Sequence, residues 1–79
     1  MSEVNSLRSV VAGVFEVAAE EITDDLGPAT FGRWGSLQHI QLVAAVEQAY
    51  GIHLSPREIR SFSTVAELND IVASKGIAT

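Results

Sequence analysis

The sequence predicts an all-α domain: a four-helix bundle of three principal helices and one short helix, with a long first loop. Three observations carry this. Apolar residues recur at helical spacing in several windows. Helix start and stop signals bracket those windows. No stretch alternates apolar and polar residues as a half-buried strand would. The chain has 79 residues, 47% of them hydrophobic, and no cysteine, so one small core must hold the fold without disulfides. A chain of this size buries only about 60% of its unfolded surface, which leaves room for a single domain over residues 1–79.

The first helix is predicted over residues 6–19, where Leu7, Val10, Val11, Val14, Phe15 and Ala18 form one stripe. Residues 20–35 break the pattern with four acids (Glu20, Glu21, Asp24, Asp25), three glycines and a proline. A loop this long inside a small domain is usually functional. Ile22, Leu26, Phe31 and Trp34 are spaced along it and are expected to pin it to the helices. Residues 36–50 form the second helix, ended by Gly51 in a left-handed C′ position with Ile52 as the following apolar contact. Its core face carries Leu42, Val43, Val46 and Tyr50 with His39 among them. Leu37, Ile40 and Ala44, with Gln41 and Gln48, form a second face surplus to core packing and available to a partner. Ser55-Pro56-Arg57-Glu58 is a capping box with proline at N1, and it opens the short helix. Thr64-Val65-Ala66-Glu67 reads as a second box, opening a helix that buries Val65, Leu68, Ile71 and Val72 and ends at Gly76.

Charge narrows the function classes. The formal net charge is −5. Arg8, Arg33, Arg57, Arg60 and Lys75 cannot build the basic patch that nucleic acid or an anionic membrane requires. The whole-chain balance predicts protein partners with basic docking surfaces. No apolar run is long enough to span a bilayer. The opening Met-Ser-Glu-Val-Asn lacks the basic and apolar regions of a secretion signal, so a cytoplasmic protein is expected.

No catalytic or metal-binding constellation is present in the pattern. His39 and His53 are too far apart in sequence for a paired-histidine motif, and His39 on the core face reads as a packed or hydrogen-bonded histidine. The loop acids lack the alternation of a calcium loop and read as a solvated face. Ser36 has no carboxylate placed to orient His39 as a base. Ser36 matters for another reason: it opens the second helix, where unpaired N–H groups and the macrodipole favour a negative group such as a phosphate ester. A simple capping role is the alternative reading of its position.

The stretch from Trp34 through Ser36-Leu37 to Val43, continued by Val46-Glu47 and Tyr50-Gly51-Ile52, resembles an acyl carrier protein. The Ser55–Ile59 and Thr64–Leu68 segments resemble that family's short third helix and its last helix, so the likeness spans nearly the whole chain. The resemblance implies a four-helix bundle of acyl-carrier type that is not an enzyme. It implies that Ser36 carries phosphopantetheine, attached by a phosphopantetheinyl transferase, with the arm's thiol holding acyl groups as thioesters. A cysteine-free domain suits that chemistry because the cofactor brings the sulfur. Leu37, Ile40 and Ala44 match positions that face partner enzymes, such as a ketosynthase or acyltransferase, and Gln41, Glu47 and Gln48 complete that candidate face. Two departures stand out. Gly35 replaces the family's aspartate before the serine, and glutamines replace acids along the second helix. These favour polyketide or related specialised biosynthesis over bulk fatty-acid synthesis. The tryptophan just before the motif resembles that of discrete acyl carriers, and a monomer is expected. The rival function is an unmodified helical interaction module that uses the Leu37/Ile40/Ala44 face alone.

Overall fold

The computed structural model describes residues 7–76, and these fold into α1 (Leu7–Phe15), a 3₁₀ turn (Ala19–Glu21), α2 (Ser36–Tyr50), α3 (Pro56–Ser61) and α4 (Val65–Ser74). There is no strand among the described residues. One core joins all four helices: Leu7, Val11 and Phe15 of α1, Leu42, Val43 and Val46 of α2, and Val65, Leu68 and Val72 of α4 are buried together. Leu54 and Phe62 bracket α3 and enter the same core. Each such side chain contributes roughly 1.5–3 kcal/mol on burial. Among the described residues no helix is long and apolar enough to cross a membrane.

α1 is shorter than the apolar stripe predicts. It stops at Phe15 because Glu16 adopts a left-handed conformation, φ 59°. The Val17 N–H then closes back on the Ala12 carbonyl at 3.1 Å, which ends the helix as a Schellman turn does. The Arg33 guanidinium donates to the Phe15 carbonyl at 2.7 Å, placing a cation on the helix's negative end. Ala18, expected on the stripe, is exposed and precedes the 3₁₀ turn. The start expected at residue 6 lies outside the described residues.

The remaining boundaries follow their signals more closely. α2 runs from Ser36 to Tyr50, and Gly51 sits in the left-handed region at φ 66°. At the start of α3, Ser55 Oγ accepts from the Glu58 N–H (3.1 Å) and the Glu58 carboxylate accepts from the Ser55 N–H (2.9 Å). The box at α4 is only half made. Thr64 Oγ1 accepts from the Glu67 N–H, but the Glu67 carboxylate is shifted by one residue and takes the Ser63 N–H at 2.7 Å.

The long loop is pinned as the spacing of its apolar residues predicts. Ile22 and Trp34 are buried, and Leu26 and Phe31 pack against the core. Its backbone also closes the start of α4: the Leu26 and Asp24 carbonyls accept from the Val65 and Ala66 N–H groups, both at 2.9 Å. Two of that helix's unpaired donors are thereby satisfied. The approach is tight at Gly27, where any Cβ would collide with the Ser63 carbonyl.

Candidate functional site

The loop delivers the chain to α2 through Trp34 and Gly35. Trp34 is buried in a chain of aromatic contacts behind the helix start, with Phe15 at 5.3 Å, Phe62 at 6.5 Å and the His39 ring at 6.2 Å between centroids. Its indole N–H donates to His39 Nδ1 at 3.1 Å. An indole nitrogen can only donate, so Nδ1 is the acceptor and His39 Nε2–H donates to the Ile59 carbonyl, 2.8 Å away. The imidazole also stacks on Phe62 at 4.4 Å. His39 therefore ties the loop, α2 and α3 together, as its core-face position predicts. It is half-buried, and both of its nitrogens are engaged.

Gly35 is the N-cap of α2 and Ser36 its first helical residue. The capping role considered for Ser36 is thus filled one residue earlier. Gly35 has no side chain to cap with, and the Gln38 side chain instead accepts from the Gly35 N–H at 3.1 Å. There is no acid in the first turn of α2. Ser36 is exposed, and its hydroxyl has no hydrogen-bond partner among the described residues. The hydroxyls of Ser55, Ser61, Ser63 and Ser74 are all engaged with neighbouring groups.

Beside Ser36 a groove of about 680 Å³ opens between α2 and α3, walled by Trp34, Ile40, Ile59 and Phe62, with Arg60 at its side. Leu37 and Ile40 stand 63% and 57% exposed, the large apolar side chains left uncovered on this helix. Gln41, Ala44 and Gln48 are exposed along the same face. Glu47 differs from the other five residues of the candidate partner face. It is half-buried, and its carboxylate accepts from the Leu54 N–H at 2.8 Å, with His53 Nδ1 3.4 Å away. Neither bond was legible in the sequence, because the turn at Gly51 brings Leu54 back onto the helix. The acids that make the chain negative lie elsewhere: Glu20, Glu21, Asp24 and Asp25 are exposed on the loop. Arg8 approaches Asp24 at 3.8 Å, both well exposed. Among the described residues no group of acids and histidines is placed to hold a metal.

The arrangement is an accessible, unengaged hydroxyl at the positive end of a helix, free of competing carboxylates and beside a mixed apolar and cationic groove. It can accept a phosphate ester and accommodate what hangs from it. The family model for the phosphopantetheine attachment site matches residues 5–72. The chain belongs to that family, and it is a phosphopantetheine-dependent carrier, not an enzyme. A search of curated proteins returned no significant match.

Proposed function

We propose that this chain is a discrete acyl carrier protein, one domain over residues 1–79, with Ser36 as the attachment point. The observation that carries the assignment is the unengaged Ser36 hydroxyl on the first residue of α2. Ser36 Oγ attacks the phosphorus of coenzyme A that bears the pantetheine. The Oγ–P bond forms, the pyrophosphate P–O bond breaks, and adenosine 3′,5′-bisphosphate leaves. The proton lost from Oγ passes to a base of the transferase, which also holds the magnesium. Once bound, the arm supplies a thiol that holds acyl groups as thioesters. The chain's own residues present the arm: His39 and Trp34 fix the start of α2, and Leu37 and Ile40 offer partners an apolar contact.

Polyketide or related specialised biosynthesis is the favoured setting, in the cytoplasm and as a monomer. Gly35 before the serine and the neutral Gln41 and Gln48 on the exposed face support it. Partners are the transferase and acyl-loading or acyl-accepting enzymes such as an acyltransferase or ketosynthase.

Incubation with coenzyme A and a broad-specificity transferase tests the assignment. Intact mass should rise by one phosphopantetheine, and Ser36→Ala should abolish the gain. A gain that persists in the alanine variant places the site elsewhere. A parent protein left unmodified beside a modified control carrier refutes the carrier reading. Preferential crosslinking of the loaded arm to fatty-acid ketosynthases over polyketide ones would count against the assigned pathway.

A further inference from the structure

Arg60 is the single cation among the residues lining the groove at Ser36. It is exposed and has no ion-pair partner among the described residues. The nearby helical acids are engaged elsewhere. Glu58 holds Lys75 Nζ at 3.0 Å and the Ser55 N–H at 2.9 Å. Glu47 is turned to Leu54 and His53. No carboxylate stands in the first turn of α2, and Gly35 contributes none just before it. The groove therefore has a free guanidinium on its α3 side, a free hydroxyl on its α2 side, and no acid among its lining residues to neutralise the former.

We propose that Arg60 is a positioning residue for the phosphodiester formed on Ser36. This rests on Ser36 being the attachment point. A phosphodiester carries one negative charge and two free oxygens, which match the paired N–H donors of a guanidinium fork. The apolar walls at Ile40, Ile59 and Phe62 exclude part of the surrounding water, so the attraction exceeds that of a fully solvated pair. Gly35 belongs to the same device. A carboxylate at that position would sit beside the phosphate and compete with it for the cation. The contact fixes the first link of the arm against α3, so the direction in which cargo leaves Ser36 is set by α3 as well as by α2.

The test compares holo with apo protein within each variant, so changes in the apo protein's own stability cancel. Wild type, Arg60→Gln and Arg60→Lys are loaded from coenzyme A, and loading is verified by intact mass. In wild type the holo form should melt about 2–5 °C above the apo form in dilute buffer. The difference should largely vanish near 1 M salt, where the screening length is about 3 Å. Arg60→Gln should reduce the difference at least about twofold, leaving only the contribution of the helix end, and narrow the phosphorus-31 resonance toward that of a freely moving diester. Arg60→Lys should restore part of both. A fully loaded Arg60→Gln protein with the wild-type melting difference and phosphorus linewidth overturns the role of Arg60 alone. Absence of the mass gain in wild type overturns the Ser36 assignment, and this proposal with it.

Discussion

α2 and α3 wall the same groove but are held by different forces. α2 runs from Ser36 to Tyr50 and buries Leu42, Val43 and Val46, so its core face fixes it and its outer face is left free. α3 has six residues, Pro56–Ser61, and buries none of them. It is held instead through its flanks, with Leu54 and Phe62 in the core on either side and Ile59 packed against it, and through polar bonds. The reciprocal Ser55–Glu58 bonds close the first turn, Lys75 from beyond α4 reaches Glu58, and the Ile59 carbonyl takes the His39 N–H. A helix held by its core can present a firm apolar face to partners. One held by its flanks and by polar bonds leaves its outer side chains free, and Arg60 is the one that lines the groove at Ser36.

The largest break in this comparison comes from one substitution made on opposite faces of α2. Leu42→Ala removes a side chain with no exposure and should cost about 2–5 kcal/mol in urea unfolding. Leu37→Ala should change stability by less than about 0.5 kcal/mol. It should instead slow arm transfer, with kcat/KM for the transferase falling about 5- to 30-fold if Leu37 anchors the contact, equivalent to roughly 1–2 kcal/mol. Comparable losses of stability from both variants would show that α2 does not divide into a folding face and a docking face.

α3 should respond to acid through Glu58. The Ser55 backbone N–H, and after it the hydrogen bond from Lys75, hold the Glu58 carboxyl below its ordinary range. The folded value lies below the unfolded one. The stabilisation is therefore present above about pH 4.5 and is lost as pH falls through the depressed folded value. Glu58→Gln keeps an oxygen for the Ser55 N–H but removes the charge. Its stability should fall less steeply than that of wild type in the acid limb, as read by thermal unfolding below pH 5 against a neutral-pH baseline. Parallel acid limbs would show that Glu58 does not hold α3 through its charge.

Much of α2 was legible because its signals are local. Ser36-to-Tyr50 periodicity and Gly51 as the left-handed stop depend on residues a turn apart, as does the Ser55–Glu58 box that opens α3. The features that were missed depend on distance. α1 ends at Glu16, a residue type that gives no stop signal, because Arg33 and the loop take over the helix's last turn. The α4 box is half made because the Glu67 carboxylate takes the Ser63 N–H, and the Leu26 and Asp24 carbonyls that come across the fold satisfy the next two N–H groups of the helix, those of Val65 and Ala66. Ser36 stood out as a residue type at a helix start. The groove beside it did not, since its walls come from the loop, α2, α3 and Phe62. Arg60 therefore read as one more surface base. The whole-chain charge of −5 predicts basic partner surfaces, whereas the free charge lining the groove is positive.

The finest test asks whether Gly35 marks the same division at the start of α2. Gly35 has φ −96° and ψ −170°, an ordinary extended conformation that any residue can adopt. A Cβ there would meet only the tip of the Gln38 side chain at 3.1 Å, and that flexible amide can yield. Gly35→Asp should therefore fold without strain. Its carboxylate can accept from the N–H groups of the first turn and meet the positive end of the helix. Apo protein should gain about 0.3–1 kcal/mol, and the gain should shrink as salt is raised. In the holo protein the carboxylate shares the helix end with a phosphodiester, and the two like charges oppose each other. The gain should then be smaller than in the apo form, or reversed. Urea unfolding of both forms, with loading verified by mass, measures the two gains side by side. An equal or larger gain in the holo form would mean that the phosphate does not sense residue 35. The absence of an acid before Ser36 would then have no connection with the cation at Arg60.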